Sequence, residues 1–227
     1  MTRATQVWAH RGASVVEVEN TLRAFAAAVR LGADGIELDV RRTADGAAAI
    51  LHDAHLPDGR PLASVAAAEL PTHVPLLDAA LDACGDLTVN IEIKESPEPP
   101  ELAELVVAEI RNRGIEGRVV VSSFDLGTVD RVRALDAGIP TALLAMHGRD
   151  RAAAATLIDL CHRRGHGAVH PYDVSVDAHF MGLAAAAGLE VNVWTVDDPA
   201  RITALAELGV HAVVTNVPDV ALRALGR

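Results

Sequence analysis

Aromatic side chains are scarce in this sequence. Phe, Trp and Tyr together make up 3% of the 227 residues, whereas apolar residues as a whole make up 50%. Ala, Leu and Val dominate that apolar fraction, which argues against an aromatic-rich antiparallel sandwich and favours helices packed on buried strands. A chain of this length can bury one sizeable core. We therefore predict a single α/β domain over residues 1–227.

Basic residues are also in the minority. The sequence has 20 Lys and Arg against 31 Asp and Glu, which gives a formal net charge of −11. No basic run interleaved with aromatic residues is present, so the sequence predicts no nucleic-acid partner. The same net charge would repel an anionic small molecule. A phosphate site would therefore need concentrated local positive charge from a metal ion, a lysine or an arginine.

Cysteines and long apolar runs are few as well. Cys84 and Cys161 lie in alanine-rich helical segments without metal-ligand spacing, so we predict two buried, reduced thiols. The first residues contain no apolar core of signal-peptide length, and no run approaches the roughly 18 apolar residues of a membrane span. These features predict a cytoplasmic protein without stable membrane insertion, and they leave the oligomeric state open.

One pattern recurs along the chain, in which an alanine-rich helix is followed by a glycine and a short β-branched strand. Such glycines typically close helices in a left-handed conformation, and they are Gly32, Gly114, Gly138, Gly188 and Gly209. Eight strands are predicted at Val7–Ala9, Ile36–Val40, Val89–Ile93, Val119–Ser122, Thr141–Leu144, Ala168–His170, Glu190–Trp194 and Ala212–Thr215. Strands and helices that alternate in this number, without a long linker, predict a parallel (β/α)8 barrel, or TIM barrel.

A short extra strand and a loop are predicted after the second barrel strand. The run Ala47–Leu51 follows a turn at Asp45-Gly46, so we expect it to return antiparallel at the barrel mouth. The Pro- and Gly-containing segment His55–Pro75 is expected to pass over the mouth rather than form a second domain.

Acidic residues alternate along two of the predicted strands. In GIELDV, Glu37 and Asp39 point to one side, and in TVNIEIK so do Glu92 and Lys94. Two carboxylates about 4 Å apart at an effective dielectric near 20 repel by about 4 kcal/mol. Protonation or salt bridges to Arg11 and Lys94 would relieve this repulsion in a purely structural network. A hard divalent cation would do so as well and would leave positions open for water or a phosphate.

Two histidines end apolar runs at the carboxyl ends of predicted strands, where TIM barrels carry their active sites. His10 ends the first strand and is followed by Arg11, and His52 ends the extra strand. Two imidazoles beside a metal-held ligand suit proton donation and acceptance near neutral pH. Both histidines are therefore candidate acid and base residues.

An ordered set of motifs between Val7 and Leu225 resembles the glycerophosphodiester phosphodiesterase family. The motifs are HRG followed by ENT, then GADGIELDVRRTADG, LHD and IEIK, and finally VNVWTVDD and GVHAVVTNVPD. The resemblance implies a (β/α)8 barrel that hydrolyses glycerophosphodiesters to glycerol 3-phosphate and an alcohol. It also implies one divalent metal ion, usually Mg²⁺ or Ca²⁺. We prefer Mg²⁺ because few carboxylates with substrate oxygens and water suit an octahedral ion, and Mn²⁺ is an alternative.

The resemblance also implies roles for individual positions. The paired catalytic histidines of the family fall on His10 and His52, and its metal carboxylates fall on Glu37, Asp39 and Glu92.

Further positions imply contacts with the substrate. Arg11 would hold the phosphate, Lys94 would stabilise developing negative charge, and Trp194 would line the glycerol side of the pocket. His170 ends the sixth strand, where related sequences often place a polar residue, and is a candidate for a ligand contact. Asn20, in ENT, matches a motif position, but an N-terminal capping role for the helix that follows is an equal alternative.

Two departures from the family's sequence pattern leave the substrate class undetermined. Val18 stands where the family usually has a proline, and the segment after His52 lacks the sequence motif that the family usually has there. A lysophospholipid substrate would be favoured by an exposed apolar surface around the loops, which the alanine-rich helix faces do not supply. A non-catalytic phosphate-binding barrel would be indicated by loss of a histidine or a metal carboxylate, and all five are present. The sequence does not distinguish acid from base, nor attack by water from attack by the glycerol hydroxyl.

Overall fold

Eight parallel strands close into a barrel in the computed structural model, which describes residues 4–94, 101–146 and 150–227. Each barrel strand pairs with the next in chain order, and the last pairs with the first, so the sheet has no free edge in the barrel wall. The predicted TIM barrel is confirmed. The barrel strands are β1 (Gln6–His10), β2 (Gly35–Arg42), β4 (Thr88–Ile93), β5 (Val119–Ser123), β6 (Thr141–Ala145), β7 (Ala168–Pro171), β8 (Glu190–Val193) and β9 (Ala212–Thr215).

Eight α-helices within the described ranges follow the barrel strands. Most predicted glycine caps are found, and Gly32, Gly188 and Gly209 close their helices in the left-handed region. The prediction for Gly138 is wrong, because the helix before it ends at Leu135 and the main-chain N–H of Gly138 instead donates to Asp136. The helices are α1 (Leu22–Leu31), α2 (Leu77–Ala83), α3 (Glu101–Arg113), α4 (Leu126–Leu135), α5 (Arg151–Arg164), α6 (Ala178–Ala187), α7 (Pro199–Leu208) and α8 (Pro218–Ala224).

The predicted extra strand is present as β3 (Ala48–Ile50), which pairs antiparallel with the end of β2. The chain then makes two short 3₁₀ turns, Leu62–Ser64 and Ala67–Glu69. Buried apolar side chains of this segment pack against Ala49 of β3 in a small core of their own. This packing therefore anchors the segment after β3 at the barrel mouth.

The barrel interior is packed at its amino-terminal end by Trp8. The indole lies against a layer of small and β-branched side chains from neighbouring strands. Gly35, the register partner of Trp8 on β2, leaves room for the ring, because a Cβ there would lie 2.6 Å from the indole Cδ1. This packed floor separates the carboxyl end of the barrel from its amino-terminal end.

A buried polar pair lies beside Trp8 in the barrel interior. His170 and Asn192 are each about 1% exposed, and Asn192 Nδ2 donates to His170 Nε2 over 2.8 Å. The Trp8 and His170 ring centroids are 6.2 Å apart in an edge-on arrangement. Burial lowers the pKa of His170 to about 3. His170 is therefore a neutral interior residue at ordinary pH.

This buried histidine predicts acid sensitivity of the fold. Between about pH 6.5 and pH 3 the unfolded chain binds a proton at His170 that the folded chain does not, so stability falls as the pH is lowered. From pH 7.5 to 5.0 this residue alone should cost about 2 kcal/mol. Urea unfolding of the wild type and His170→Gln at both pH values tests this, and the variant should lose about 2 kcal/mol less. Equal losses in the two proteins would contradict it.

Two further predictions concern the thiols and the membrane. Cys84 and Cys161 are both free and buried, as predicted, and burial raises the pKa of each thiol to about 12. In the part of the chain that the structure describes, no helix has the length and apolar character needed to cross a membrane.

Candidate active site

Three carboxylates converge at the carboxyl end of the barrel. Glu37 and Asp39 come from β2 and Glu92 comes from β4, where Glu92 is the register partner of Asp39. One oxygen from each lies within 4.8 Å of the others, and all three residues are buried. The alternation of the two strands therefore brings the acidic side chains together as predicted. Their role as metal ligands stays a prediction.

Asp39 is the centre of the charge pairing in this cluster. Lys94 Nζ, from the only lysine in the sequence, lies 2.8 Å from Asp39 Oδ1, and Arg11 Nε lies 3.1 Å from Oδ2. Asn20 Nδ2 donates to the same Oδ2 over 2.7 Å. Burial by itself would raise the pKa of Asp39, but Lys94, Arg11 and the hydrogen bonds lower it below its ordinary value. Asp39 is thus held ionised.

The negative charge of Glu37 has fewer compensating partners than that of Asp39. Its Oε2 accepts the main-chain N–H of Arg11 over 3.0 Å, while its Oε1 is buried without a hydrogen-bond donor. Burial and the charges of Asp39 and Glu92 raise the pKa of Glu37 well above its ordinary value. The pKa of Glu92 is also raised by burial and by Asp39, although Lys94 pairs with it. Both shifts result first from burial and second from the neighbouring negative charges.

The cluster fits a hard divalent cation. Lys94 and Arg11 lie against Asp39, and Arg41 interacts electrostatically with Asp39 and Glu92. None of these cations gives Glu37 Oε1 a hydrogen bond, and that oxygen is buried without a donor. Converging carboxylate oxygens with an unsatisfied buried member are the donor set that Mg²⁺, Ca²⁺ and Mn²⁺ prefer. A salt-bridge network alone leaves this oxygen without a partner.

His10 lies at the end of β1, in register with Glu37. Its Nδ1 donates to Asn216 Oδ1 over 2.7 Å, and its Nε2 lies 3.9 Å from Glu37 Oε2. Burial lowers the pKa of His10 below its ordinary value. A neutral ring that donates through Nδ1 has its lone pair on Nε2. His10 therefore presents a hydrogen-bond acceptor to the carboxylate cluster.

His52 lies two residues past β3, the strand that pairs with β2 just after Asp39. The preceding residue, Leu51, donates its main-chain N–H to the carbonyl of Asp39 over 3.0 Å. Arg41 Nε donates to the carbonyl of His52, and His52 Nδ1 donates to Asp53 Oδ1 over 2.8 Å. The His52 side chain is 38% exposed, so it stands at the open side of the site.

Two left-handed residues shape the loop between β1 and α1. Arg11 has φ 54° and Asn20 has φ 56°, and the Asn20 N–H donates to the Arg11 carbonyl over 2.9 Å. Thr21, not Asn20, is the N-cap of α1, because its hydroxyl accepts the N–H of Ala24. The capping alternative for Asn20 is therefore wrong. Asn20 is buried and directed to Asp39 instead.

Trp194 and His170, the other two predicted substrate contacts, lie in different parts of the barrel. Trp194 lies just past β8 and contacts the rings of Phe124 and Tyr172, with centroids 5.5 and 5.3 Å away. Its indole N–H donates to the His170 carbonyl over 2.8 Å. The Trp194 ring is partly exposed at the mouth, whereas the His170 ring is enclosed in the barrel interior beside Asn192. The structure therefore does not bring His170 together with the carboxylates.

Several site residues were not singled out from the sequence. Asn216 and Asp197 lie just past β9 and β8, inside motifs used for the family resemblance, and Asp53 directly follows His52. Glu19 accepts a hydrogen bond from Arg11 over 2.8 Å. For Asn216, the available signal was a polar residue that directly follows a barrel strand. Strand periodicity cannot select among them because it ends where the strand ends.

Comparison with known proteins agrees with this geometry. Residues 10–220 match the glycerophosphoryl diester phosphodiesterase family. A glycerophosphodiester phosphodiesterase of Bacillus altitudinis is 30% identical over 244 residues, covering 96% of this chain and 97% of that protein.

Solved structures give the same result for the fold. A glycerophosphodiester phosphodiesterase from Agrobacterium tumefaciens superposes with a TM-score of 0.82 at 26% identity, covering 96% of this chain and 99% of that one. An Oleispira antarctica phosphodiesterase, solved with its product sn-glycerol-3-phosphate, superposes with a TM-score of 0.88 at 22% identity, covering 99% and 98%. The resemblance drawn from the sequence motifs is confirmed. This chain belongs to the glycerophosphoryl diester phosphodiesterase family.

Proposed function

We propose that this chain hydrolyses glycerophosphodiesters to glycerol 3-phosphate and an alcohol, with a divalent cation held by Glu37, Asp39 and Glu92. The observation that carries the proposal is the convergence of these three buried carboxylates within 4.8 Å at the mouth of a barrel of this family. When bound, the cation would supply Lewis-acid stabilisation of charge on a phosphate oxygen.

Arg11 and Lys94 supply the positive side chains that an anionic substrate needs in a chain of net charge −11. Asp39 holds Arg11 Nε and Lys94 Nζ from opposite oxygens, which orients both cations before substrate binds. Preorganised cations stabilise developing negative charge without reorganisation at the moment of reaction. We assign Arg11 to phosphate binding and Lys94 to charge stabilisation, and we assign Trp194 to the glycerol side.

The two histidines have different partners, and this difference suggests their roles. His10 is paired with a neutral amide and is partly buried, which lowers its pKa, so it suits the base that accepts a proton from the attacking oxygen. His52 is hydrogen-bonded to the carboxylate of Asp53 and stands at the open side of the site, and we assign it as the acid that protonates the leaving alcohol. We assign no ligand contact to His170.

A substrate panel with metal reconstitution tests the proposal. Protein treated with EDTA is assayed on glycerophosphocholine, glycerophosphoethanolamine, glycerophosphoglycerol and glycerophosphoinositol, with Mg²⁺, Ca²⁺ or Mn²⁺ added back and glycerol 3-phosphate measured. We expect chelation to abolish release and Mg²⁺ to restore it most strongly. Activity that survives thorough chelation would exclude the metal role. Binding without turnover in every arm would leave a phosphate-binding barrel and refute hydrolysis.

Lysophospholipids are a second candidate substrate class, which exposed apolar side chains around the mouth favour. Val15, Val16 and Val18 in the loop after β1 are 68%, 61% and 68% exposed. Met146 after β6 is 67% exposed, and Val174 after β7 is 46% exposed. Apolar side chains on the active face suit an acyl chain or a lipid surface. Adding lysophosphatidylcholine to the panel tests this class, with choline release supporting it and no release excluding it.

A cytoplasmic location is part of the proposal. Two free, buried thiols suit a reducing compartment. Fractionation of the native cell with an antibody against the protein would test it, and recovery from an oxidising compartment would contradict it.

A further inference from the structure

Asn216 links the ring of His10 to the carboxylate of Asp197, which is not part of the cluster of three carboxylates. It follows β9, and its Oδ1 accepts from His10 Nδ1 over 2.7 Å and from the Ser14 hydroxyl over 3.1 Å. On its other side, Asn216 Nδ2 donates to Asp197 Oδ2 over 2.7 Å. His10 ends β1, Asp197 lies past the end of β8 and Asn216 lies past the end of β9, and these three strands are neighbours in the closed barrel.

The orientation of the Asn216 amide is fixed by Asp197. An ionised carboxylate can only accept hydrogen bonds, so the NH₂ group of Asn216 must face Asp197 and its oxygen must face His10. Asp197 is held in turn, because its Oδ1 accepts the Asn216 main-chain N–H over 2.8 Å and the Thr215 hydroxyl over 2.9 Å. The reverse amide orientation would place the amide oxygen against an Asp197 carboxylate oxygen, with no hydrogen between the two acceptors.

This fixed amide selects one tautomer of His10. Because Asn216 offers an oxygen, the neutral His10 ring must carry its hydrogen on Nδ1 and its lone pair on Nε2, the atom nearest to Glu37. We propose that Asp197 and Asn216 are positioning residues that hold His10 in the tautomer and orientation in which Nε2 accepts a proton. This inference rests on the proposed function for its catalytic consequence, although the tautomer itself does not.

The two histidines of the site are oriented in different ways. His52 is oriented by a carboxylate directly, whereas an amide stands between His10 and the carboxylate of Asp197. A neutral amide orients an imidazole without adding a negative charge beside it, which matters next to three carboxylates. The arrangement thus fixes the ring without adding to the crowding of charge.

The tautomer can be read directly by ¹⁵N NMR of the histidine rings at pH 8, with His10 assigned from the spectrum of His10→Gln. We expect the wild type to show a protonated Nδ1 and an unprotonated Nε2 at His10, and Asn216→Ala to shift the ring toward the other tautomer. A wild-type ring protonated on Nε2, or an unchanged tautomer in Asn216→Ala, would overturn the inference. This readout does not depend on activity, so it separates failure of the inference from failure of the proposed function.

A double-mutant cycle separates positioning from general structural support. Asn216→Ala should lower kcat by about 10- to 100-fold with KM within about twofold, whereas Asn216→Ala added to His10→Gln should cause almost no further loss. The neighbouring Asp198 is the matched control, because its side chain accepts the Arg201 main-chain N–H at the start of α7 and, among the described residues, forms no hydrogen bond with the Asn216 amide. Asp198→Ala should lower thermal stability and leave kcat unchanged. Equal losses from Asn216→Ala in both backgrounds would overturn a positioning role.

Discussion

Glu37→Gln is expected to lower glycerophosphodiester turnover by about 1,000-fold, because the loss of one proposed metal carboxylate would remove several kcal/mol of charge stabilisation. The same change should raise the stability of the metal-free protein by about 1–2 kcal/mol. Glu37 is buried, has an oxygen without a donor and is repelled by Asp39 and Glu92, so its charge is a burden when no cation is bound. Activity and stability therefore change in opposite directions.

Thermal unfolding with and without 10 mM Mg²⁺ measures both halves of this expectation. Wild type should gain stability on Mg²⁺ addition, since a ligand that binds only the folded state stabilises it by mass action, and Glu37→Gln should lose most of that gain. Glu104→Gln is a matched control, because Glu104 pairs with Arg131 at the surface and lies on α3. It should leave turnover unchanged and shift stability by less than about 0.5 kcal/mol. A Glu37→Gln protein that keeps the Mg²⁺ response would contradict the metal assignment.

His52→Ala is expected to lower kcat by about 100-fold or more while the fold stays intact. The loss follows from removing the proposed proton donor, and the fold is spared because the side chain is 38% exposed and contacts Asp53 at the surface. His10→Gln should cause a loss of similar size through removal of the proposed base. Steady-state kinetics on glycerophosphocholine, with circular dichroism to check folding, measure both effects.

His55→Ala is the control for His52, because His55 is exposed and lies three residues further along the same loop. We expect it to keep wild-type turnover. Near-normal rates in both His52→Ala and His10→Gln would show that neither histidine is needed for catalysis, independently of the metal. A loss in only one of them would mean that a single residue carries out both proton transfers.

Much of the fold and of the acidic cluster could be predicted from the periodicity of the sequence. The two-residue repeat of GIELDV and TVNIEIK determines which face Glu37, Asp39 and Glu92 occupy, and neighbouring strands of a closed parallel barrel bring that face to one place. The interior packing of Trp8 against Gly35 was not predicted. It depends on which side chains share a layer across the barrel, and a single strand does not contain that information.

The residues that orient the site were harder to predict. Asn216 reaches His10 across 206 positions of sequence because β9 closes on β1, and Asn20 reaches Asp39 because it adopts a left-handed conformation that composition does not reveal. His170 was placed correctly at the end of a strand but points to the interior beside Asn192. The end of a predicted strand indicates how far along the barrel axis its last residue lies. The direction of that residue's side chain depends on the neighbouring residues in the fold. That residues 1–227 form one domain stays a prediction.

Binding of one divalent cation by the three carboxylates can be observed in a crystal soaked with Mn²⁺ and measured at the manganese absorption edge. We predict a single anomalous peak with oxygens of Glu37, Asp39 and Glu92 at about 2.1–2.3 Å. The absence of a peak there at saturating Mn²⁺, with Lys94 still paired to Asp39 and Glu92, would show that the cluster is a salt-bridge network and not a metal site.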